Sequence, residues 1–333
     1  MTADHEYFKA KIFAISSARD FNQLAIELFQ YQCANNALYN RFINLLGITV
    51  DMVKTVDKIP YLPIEFFKNF TVTCLPNEEP QAVFTSSSTT GTGMSKHVVY
   101  DLDLYEKSFI NGFELFYGPI SNYCILALLP SYLEREGSSL VYMADKLIKL
   151  SKNRDSDFYL NNLDHLVLTL ESRNTLEEKT LLLGVSYALL NLAERYKMAT
   201  EPNCIVMDTG GMKGRRKEIT RQELHEQLCE AFECSVIHSE YGMTELLSQA
   251  YSQGNGQYKC PPWMSISLRD INDPFGKIGV GGTGGINVID LANIDSCAFI
   301  ATSDIGRMHP TGTFEVLGRY DYSDIRGCNL LAV

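Results

Sequence analysis

The sequence predicts an α/β fold, and three observations carry that expectation. Between about residues 82 and 241, short apolar β-like runs alternate with stretches of helical periodicity, the pattern of parallel strands joined by crossover helices. Distinctive Gly-, Ser- and Thr-rich loops follow several of those runs, at the carboxyl ends where such sheets carry their ligand loops. From Pro261 onward the texture changes to short β-like runs with Gly turns, which suggests an antiparallel subdomain. No internal repeat or low-complexity linker divides the chain, so one composite domain over 1–333 is expected. Its parts are a helical N-terminal region (1–80), an α/β core (81–260) and a β-rich part (261–333).

In order along the chain, residues up to about 70 read as helical, with 21–47 carrying apolar residues at helical intervals. Residues 82–84 and 98–100 are β-like runs that enclose a Ser/Thr/Gly loop, and the apolar run 123–129 is stopped by Pro130. A helix-like stretch follows Gly137 to about 150, then a strand candidate at 165–170 and a long helical pattern over 176–196. Residues 204–207 read as a strand, followed by the loop DTGGMKGRRK. Thr220 and Glu223 form a capping box that opens a helix with Leu224, Leu228 and Phe232 on one face. Residues 235–237 read as a strand leading into HSEYGMTE, with a helix starting at its end. Beyond 261, the β-like runs are 284–289, 298–302 and 313–317.

Composition narrows the function. The 333 residues are 45% hydrophobic and 21% charged, ordinary for a globular protein with a sizeable core. A net charge of −11 argues against general attraction to nucleic acid or an anionic membrane surface, so any bound phosphate must be held locally. The first residues lack a basic stretch followed by an unbroken apolar run, so no secretory signal is read. The densest apolar region, 180–193, is interrupted by Gly184, Ser186, Tyr187 and Asn191 and is too short to span a bilayer. A cytoplasmic location is expected. Nine cysteines, without a C-x-x-C pair, fit neither a disulfide framework nor a zinc site, and the six histidines are dispersed. No protein-built metal site is assigned.

Four features carry possible chemistry. The loop TSSSTTGTGMSK, 85–96, places hydroxyls and amides where phosphate oxygens can be held, with Lys96 as the cation. It is not a Walker A loop, because no Gly precedes Lys96 and a strand rather than a helix follows. Alone, it reads equally as a flexible polar hairpin. The formal G-x-G-x-x-G at Gly279, Gly281 and Gly284 precedes a strand-like run instead of opening a helix, and is taken as a β-turn. In YGMTE, Glu245 can hold Mg²⁺ and Thr244 can bond a phosphate oxygen, although both residue types also serve as plain helix caps. TSDIG (302–306) and LGRYD (317–321) supply Asp304 and Arg319, which suit ribose hydroxyls and phosphate but are also routine in turns.

It is the joint occurrence and order of these weak matches that counts. TSSSTTGTGMSK, TGGMKG, YGMTE, TSDIG and GRYD resemble the motif series of the adenylate-forming acyl, aryl and luciferase-type enzymes, over about residue 60 to the end. Within that superfamily, PIEFFK, LLPSYLEREGSSLVYM and the terminal DIRGCNLL are most similar to the LuxE-type acyl-protein synthetases. The resemblance implies the large N-terminal domain of the adenylate-forming fold, with mixed sheets, flanking helices and a small β subdomain, and without the C-terminal lid.

By that resemblance, Lys96 and the hydroxyls of Ser86, Ser87, Thr89 and Thr90, with Gly91 in the same loop, would cradle the β and γ phosphates of ATP. Gly210 and Gly211 would line the adenine and Tyr241, followed by Gly242, would stack on it. Thr244 would contact the α phosphate and Glu245 the Mg²⁺, while Asp304 would take the ribose hydroxyls and Arg319 would approach ribose or phosphate. Ser88 stands where the family usually has Gly. The expected reaction is attack of a carboxylate, by resemblance that of a fatty acid, on the α phosphorus with loss of pyrophosphate. A carboxylate is already ionised at neutral pH and needs no general base. The family's late catalytic lysine has no counterpart after Lys277, and the resemblance offers Cys328 as the acyl acceptor; a buried apolar Cys is the competing reading. Acceptors in trans would be a reductase subunit, an acyl carrier protein or coenzyme A, and a nucleotide-binding protein without activity is a further alternative. The basic run Lys213, Arg215, Arg216 and Lys217 is read as a solvated turn.

Overall fold

The computed structural model describes residues 3–86, 93–131, 135, 137–174, 176–200, 202–211 and 219–320. The N-terminal region is helical, as Ala3–Ile12, Ala18–Asn35 and Ala37–Leu45. Ser17 caps the second helix by accepting from the Asp20 amide, and Asn36 both ends that helix and caps the next through the Tyr39 amide. Their apolar faces, including Leu24, Leu28, Phe29, Tyr39 and Ile43, join the main core.

One large mixed sheet organises the rest. Its parallel half runs through Tyr123–Leu128, Lys179–Val185, Cys204–Thr209 and His238–Tyr241, with Asp157–Phe158 at the edge. Burial on both faces explains the near-continuous apolar runs of Tyr123–Leu128 and Lys179–Val185. Beyond His238–Tyr241 the pairing becomes antiparallel, through Ala250–Ser252, Tyr258–Lys259, Phe314–Arg319, Phe299–Met308, Thr283–Asp290 and Met264–Arg269. The antiparallel strands read after 261 thus hydrogen-bond into the same sheet as the parallel ones. Gly279–Gly282 is a β-turn, closed by the Gly282 amide on the Gly279 carbonyl at 3.1 Å, as its sequence position predicts. A separate hairpin pairs Ala82–Thr85 with Lys96–Val99. No helix among the described residues is long and apolar enough to cross a membrane.

Four elements differ from the sequence reading. Residues 165–170 lie in a helix, Leu163–Arg173, and not in a strand. Asn162 caps it through the His165 amide, and Leu166 and Leu170 are buried while Leu168 is 63% exposed, a one-sided pattern that outweighs the β-like composition. The helical pattern over 176–196 divides into the strand Lys179–Val185 and the helix Ser186–Arg195, because a continuous apolar run suits either a buried strand or a buried helix. Gly184 permits the reversal: a Cβ there would lie 2.8 Å from Leu189 Cγ, on the helix folding back over its own strand. The strand read at 235–237 begins instead at His238. No helix opens at Thr244 either; the chain makes a turn and enters the strand Ala250–Ser252. Side-chain capping by Asp290, set out below, consumes the amides that a helix would have used.

Candidate functional site

Lys96 begins the second strand of the hairpin, in register with Thr85, and is exposed. The neck of the Ser/Thr/Gly loop is closed twice: the Ser86 amide donates to the Ser95 carbonyl at 3.1 Å, and the Ser95 amide to Ser86 Oγ at 3.0 Å. Ser86 is therefore engaged with the loop's own backbone. Ser87, Ser88, Thr89, Thr90 and Gly91 lie outside the described residues. Strand alternation sends Lys96 outward and His97 inward.

The turn that carries Thr244 and Glu245 is held by groups distant in sequence. Asp290, fully buried, accepts from the Leu247 amide at 2.8 Å, the Ser248 amide at 2.9 Å, Ser248 Oγ at 2.5 Å and the Ala292 amide at 3.1 Å. Burial raises the Asp290 carboxyl, and these donors oppose the rise. Asn293 Nδ2 donates to the Glu245 carbonyl at 2.7 Å. His97 meets the Thr244 carbonyl through Nδ1 at 2.8 Å and Ser296 Oγ through Nε2 at 3.0 Å. A carbonyl only accepts, so Nδ1 carries the proton and Nε2 accepts from the serine.

Glu245 is 5% exposed. Burial raises its carboxyl, and a hydrogen bond from the Ser95 side chain works against that rise. The neck of the Ser/Thr/Gly loop and the YGMTE turn therefore touch. A Cβ on Gly242 would stand 2.4 Å from Glu240 Oε1, so a side chain there would displace this carboxylate, which also takes the Thr209 hydroxyl hydrogen bond.

Asp304 is a further buried carboxylate of the site, 5% exposed. Tyr241 Oη donates to Oδ2 at 2.8 Å and Arg319 Nε to Oδ1 at 3.0 Å. Asp304 and Arg319 are direct partners across neighbouring strands, while Tyr241 arrives from the parallel half of the sheet. The Tyr241 ring is buried and meets Tyr258 and Phe314 edge-on. Parallel register places Thr209 beside Glu240, so Gly210 and Gly211 emerge next to Gly242 at the same end of the sheet. Both glycines are exposed, Gly210 at φ +74°, and among the described residues nothing lies within 4 Å of a Cβ built on Gly211. Below them Ser186 Oγ lies 2.6 Å from Asp208 Oδ1 and 3.0 Å from the Gly210 carbonyl, which share its one hydrogen, and burial pushes the Asp208 carboxyl up to about 6.

Two clusters are thus assembled from the predicted residues, one joining the Lys96 strand to Thr244 and Glu245 and one joining Tyr241, Asp304 and Arg319. Cys328 and the basic run 213–217 lie outside the described residues. Among those described, no group of three or more His, Cys, Asp or Glu could hold a metal by itself. His97, Asp290, Asn293 and Ser95 are the residues that sequence reasoning missed. His97 alone had a signal, its place beside Lys96.

A family model described as acyl-protein synthetase, LuxE, matches residues 4–332. A long-chain-fatty-acid–luciferin-component ligase of Vibrio harveyi is 23% identical over 329 residues, covering 91% of this chain and 84% of that protein. Among solved structures, a 2-hydroxyisobutyryl-CoA ligase in the postadenylation state with 2-HIB-AMP aligns over 91% of this chain and 68% of its own, with a TM-score of 0.66 and 13% identity. ATP-bound MatB from Rhodopseudomonas palustris aligns over 72% of this chain and 48% of its own, with a TM-score of 0.53 and 18% identity. The chain thus covers about half the length of MatB, and at these identities the structural likeness is one of fold.

Proposed function

The chain belongs to the LuxE family of acyl-protein synthetases, and from that premise we propose that it is an AMP-forming ligase that activates a fatty acid and passes the acyl group to a protein thiol. The observation that carries the reading is the contact between the Lys96 hairpin and the Glu245 turn, beside the Asp304 cluster. His97, next to Lys96 in the hairpin, reaches the Thr244 carbonyl, and the buried Glu245 carboxyl interacts with Ser95, Arg319 and Asp304, so segments distant in sequence come together there.

In this reading Lys96, Ser86, Ser87, Thr89, Thr90 and the Gly91 backbone hold the β and γ phosphates. Gly210 and Gly211 give the adenine a surface without side chains, bounded by Tyr241 and Gly242. Asp304, already gripped on each oxygen by Tyr241 and Arg319, keeps a lone pair on each for the two ribose hydroxyls. Thr244 contacts the α phosphate. Glu245 fits a Mg²⁺ ion brought in with ATP, because Mg²⁺ sites of this kind use one or two carboxylates plus the substrate's phosphates. Burial destabilises the Glu245 anion when it is alone, which favours a cation beside it. Bound there, Mg²⁺ would offset the charge that gathers on the phosphate oxygens.

The acid's carboxylate oxygen attacks the α phosphorus, the bond to the bridging oxygen breaks, and pyrophosphate leaves with that electron pair. Lys96 and the loop donors stabilise the departing charge. A thiolate then attacks the acyl carbonyl and AMP leaves, forming a thioester. Cys328 is this chain's own candidate thiol, and Arg326, two positions earlier in the sequence, would favour the thiolate.

Incubation with ATP, Mg²⁺ and a panel of short, long and aromatic acids, followed by intact-mass measurement, tests the reading. An acyl mass increment on the wild type that disappears in Cys328→Ala is expected. An increment that persists in the variant overturns the cysteine assignment, and thioester found only on added coenzyme A overturns the protein acceptor.

A further inference from the structure

The hairpin that presents Lys96 belongs to a different sheet from the turn that presents Thr244 and Glu245, so their relative placement depends on side chains crossing between them. His97 is the residue built for that crossing. It lies 147 positions from Thr244, is 1% exposed, and packs edge-on against Phe67 with ring centroids 5.7 Å apart. Its neighbour Lys96 points the other way, out of the hairpin. One strand therefore aims a cation at solvent and an imidazole at the turn.

Resting on the adenylation reading above, we propose that His97 is a positioning residue for acid activation: its Nδ1–H anchors the Thr244 carbonyl and its Nε2 is anchored by Ser296, which fixes Lys96 relative to Thr244 and Glu245. The second anchor is itself secured. The Ser296 carbonyl takes Asn36 Nδ2 at 2.8 Å, and the preceding Asp295 takes His5 Nδ1 at 2.9 Å, so the 290s loop is tied to the N-terminal helices. A neutral imidazole is the form that offers one donor and one acceptor, and burial holds His97 neutral by pulling it down to about 4. Neither Lys nor Arg could replace it, since both only donate. His97 touches no reacting atom; it acts through Thr244 and Lys96.

The two nitrogens can be tested apart. Asn supplies a donor near the position of Nδ1, Gln supplies polar atoms near Nε2, and Phe supplies neither. A misplacement of about 1 Å by a change remote from the chemistry can cost about 100-fold in rate. His97→Phe and His97→Gln are expected to lose up to about that factor in kcat for acid-dependent ATP–pyrophosphate exchange, with the KM for ATP within about threefold of wild type, and His97→Asn to recover most of the loss. In the ligand-free protein labelled with ¹⁵N-histidine, NMR should show His97 as the neutral Nδ1–H tautomer at neutral pH. Equal rates in all three variants, an effect confined to KM, or an Nε2–H or doubly protonated ring would overturn the role. The NMR result stands even where a variant fails to fold. A wild type with the expected tautomer but no exchange on any acid would instead overturn the adenylation reading, and the catalytic role with it.

Discussion

Removal of Asp290 should unfasten the turn that carries Thr244 and Glu245. Its carboxylate is the acceptor for three backbone amides and one hydroxyl, and it is fully buried. Each buried donor left unpaired costs about 1–3 kcal/mol, and donors to a charged acceptor lie at the upper end. Water entering the space left by the carboxylate would re-satisfy part of the set. Asp290→Ala is therefore expected to lose about 3–5 kcal/mol, the range that marks a broken buried network. Asp290→Asn keeps one carbonyl oxygen for the Leu247 and Ser248 amides but turns an NH₂ toward the Ala292 amide, so a loss of about 1–3 kcal/mol is expected. Urea denaturation of both variants measures these values, and exchange at a urea-free temperature well below each midpoint measures the activity. The exchange rate should fall more steeply than the folded fraction, because the turn loosens before the fold is lost. An Asp290→Ala protein within about 1 kcal/mol of wild type, or one with full exchange activity, would show that Asp290 does not hold this turn.

Two further outcomes follow from the carboxylates. His5, buried between Asp101 at 3.0 Å and Asp295 at 2.9 Å, is carried up to about 9 against the penalty of burial by hydrogen bonds to both. A pKa raised above the unfolded value means stability that is complete below about pH 6.5 and lost as pH rises through about 9. The urea midpoint should decline over that window, and His5→Gln should flatten the decline; an unchanged slope would count against the buried imidazolium. Asp304→Asn removes the charge that grips Arg319 and would weaken the proposed ribose contact, so the KM for ATP in exchange should rise by about tenfold or more. A KM unaltered by the substitution would argue against a ribose role.

The parts of the fold with strong local signals were legible in the sequence. The capping box at Thr220 and Glu223 forms as read, and the Gly279–Gly282 segment is the turn its position implied. Residues 165–170 and 176–196 were misread because local apolar content does not distinguish a buried strand from a buried helix. The decisive facts were tertiary, namely the cap at Asn162 and the close approach that Gly184 allows. The same division runs through the site. Glu245, Asp304 and Lys96 sit in motifs whose order could be read. Asp290, Asn293 and His97 act on residues 42 to 147 positions away, and no pattern in the chain announces such pairs. The helix expected at Thr244 failed for that reason: a remote carboxylate claimed its amides.

On the proposed function, this chain joins an acid to AMP. Exchange of labelled pyrophosphate into ATP across a panel of acids tests it most directly, since exchange requires reversible formation of the acyl-adenylate and is independent of the acceptor. Exchange is expected to depend on both a fatty acid and Mg²⁺ and to be lost in Glu245→Gln. Exchange at background with every acid, in a folded protein, would contradict it.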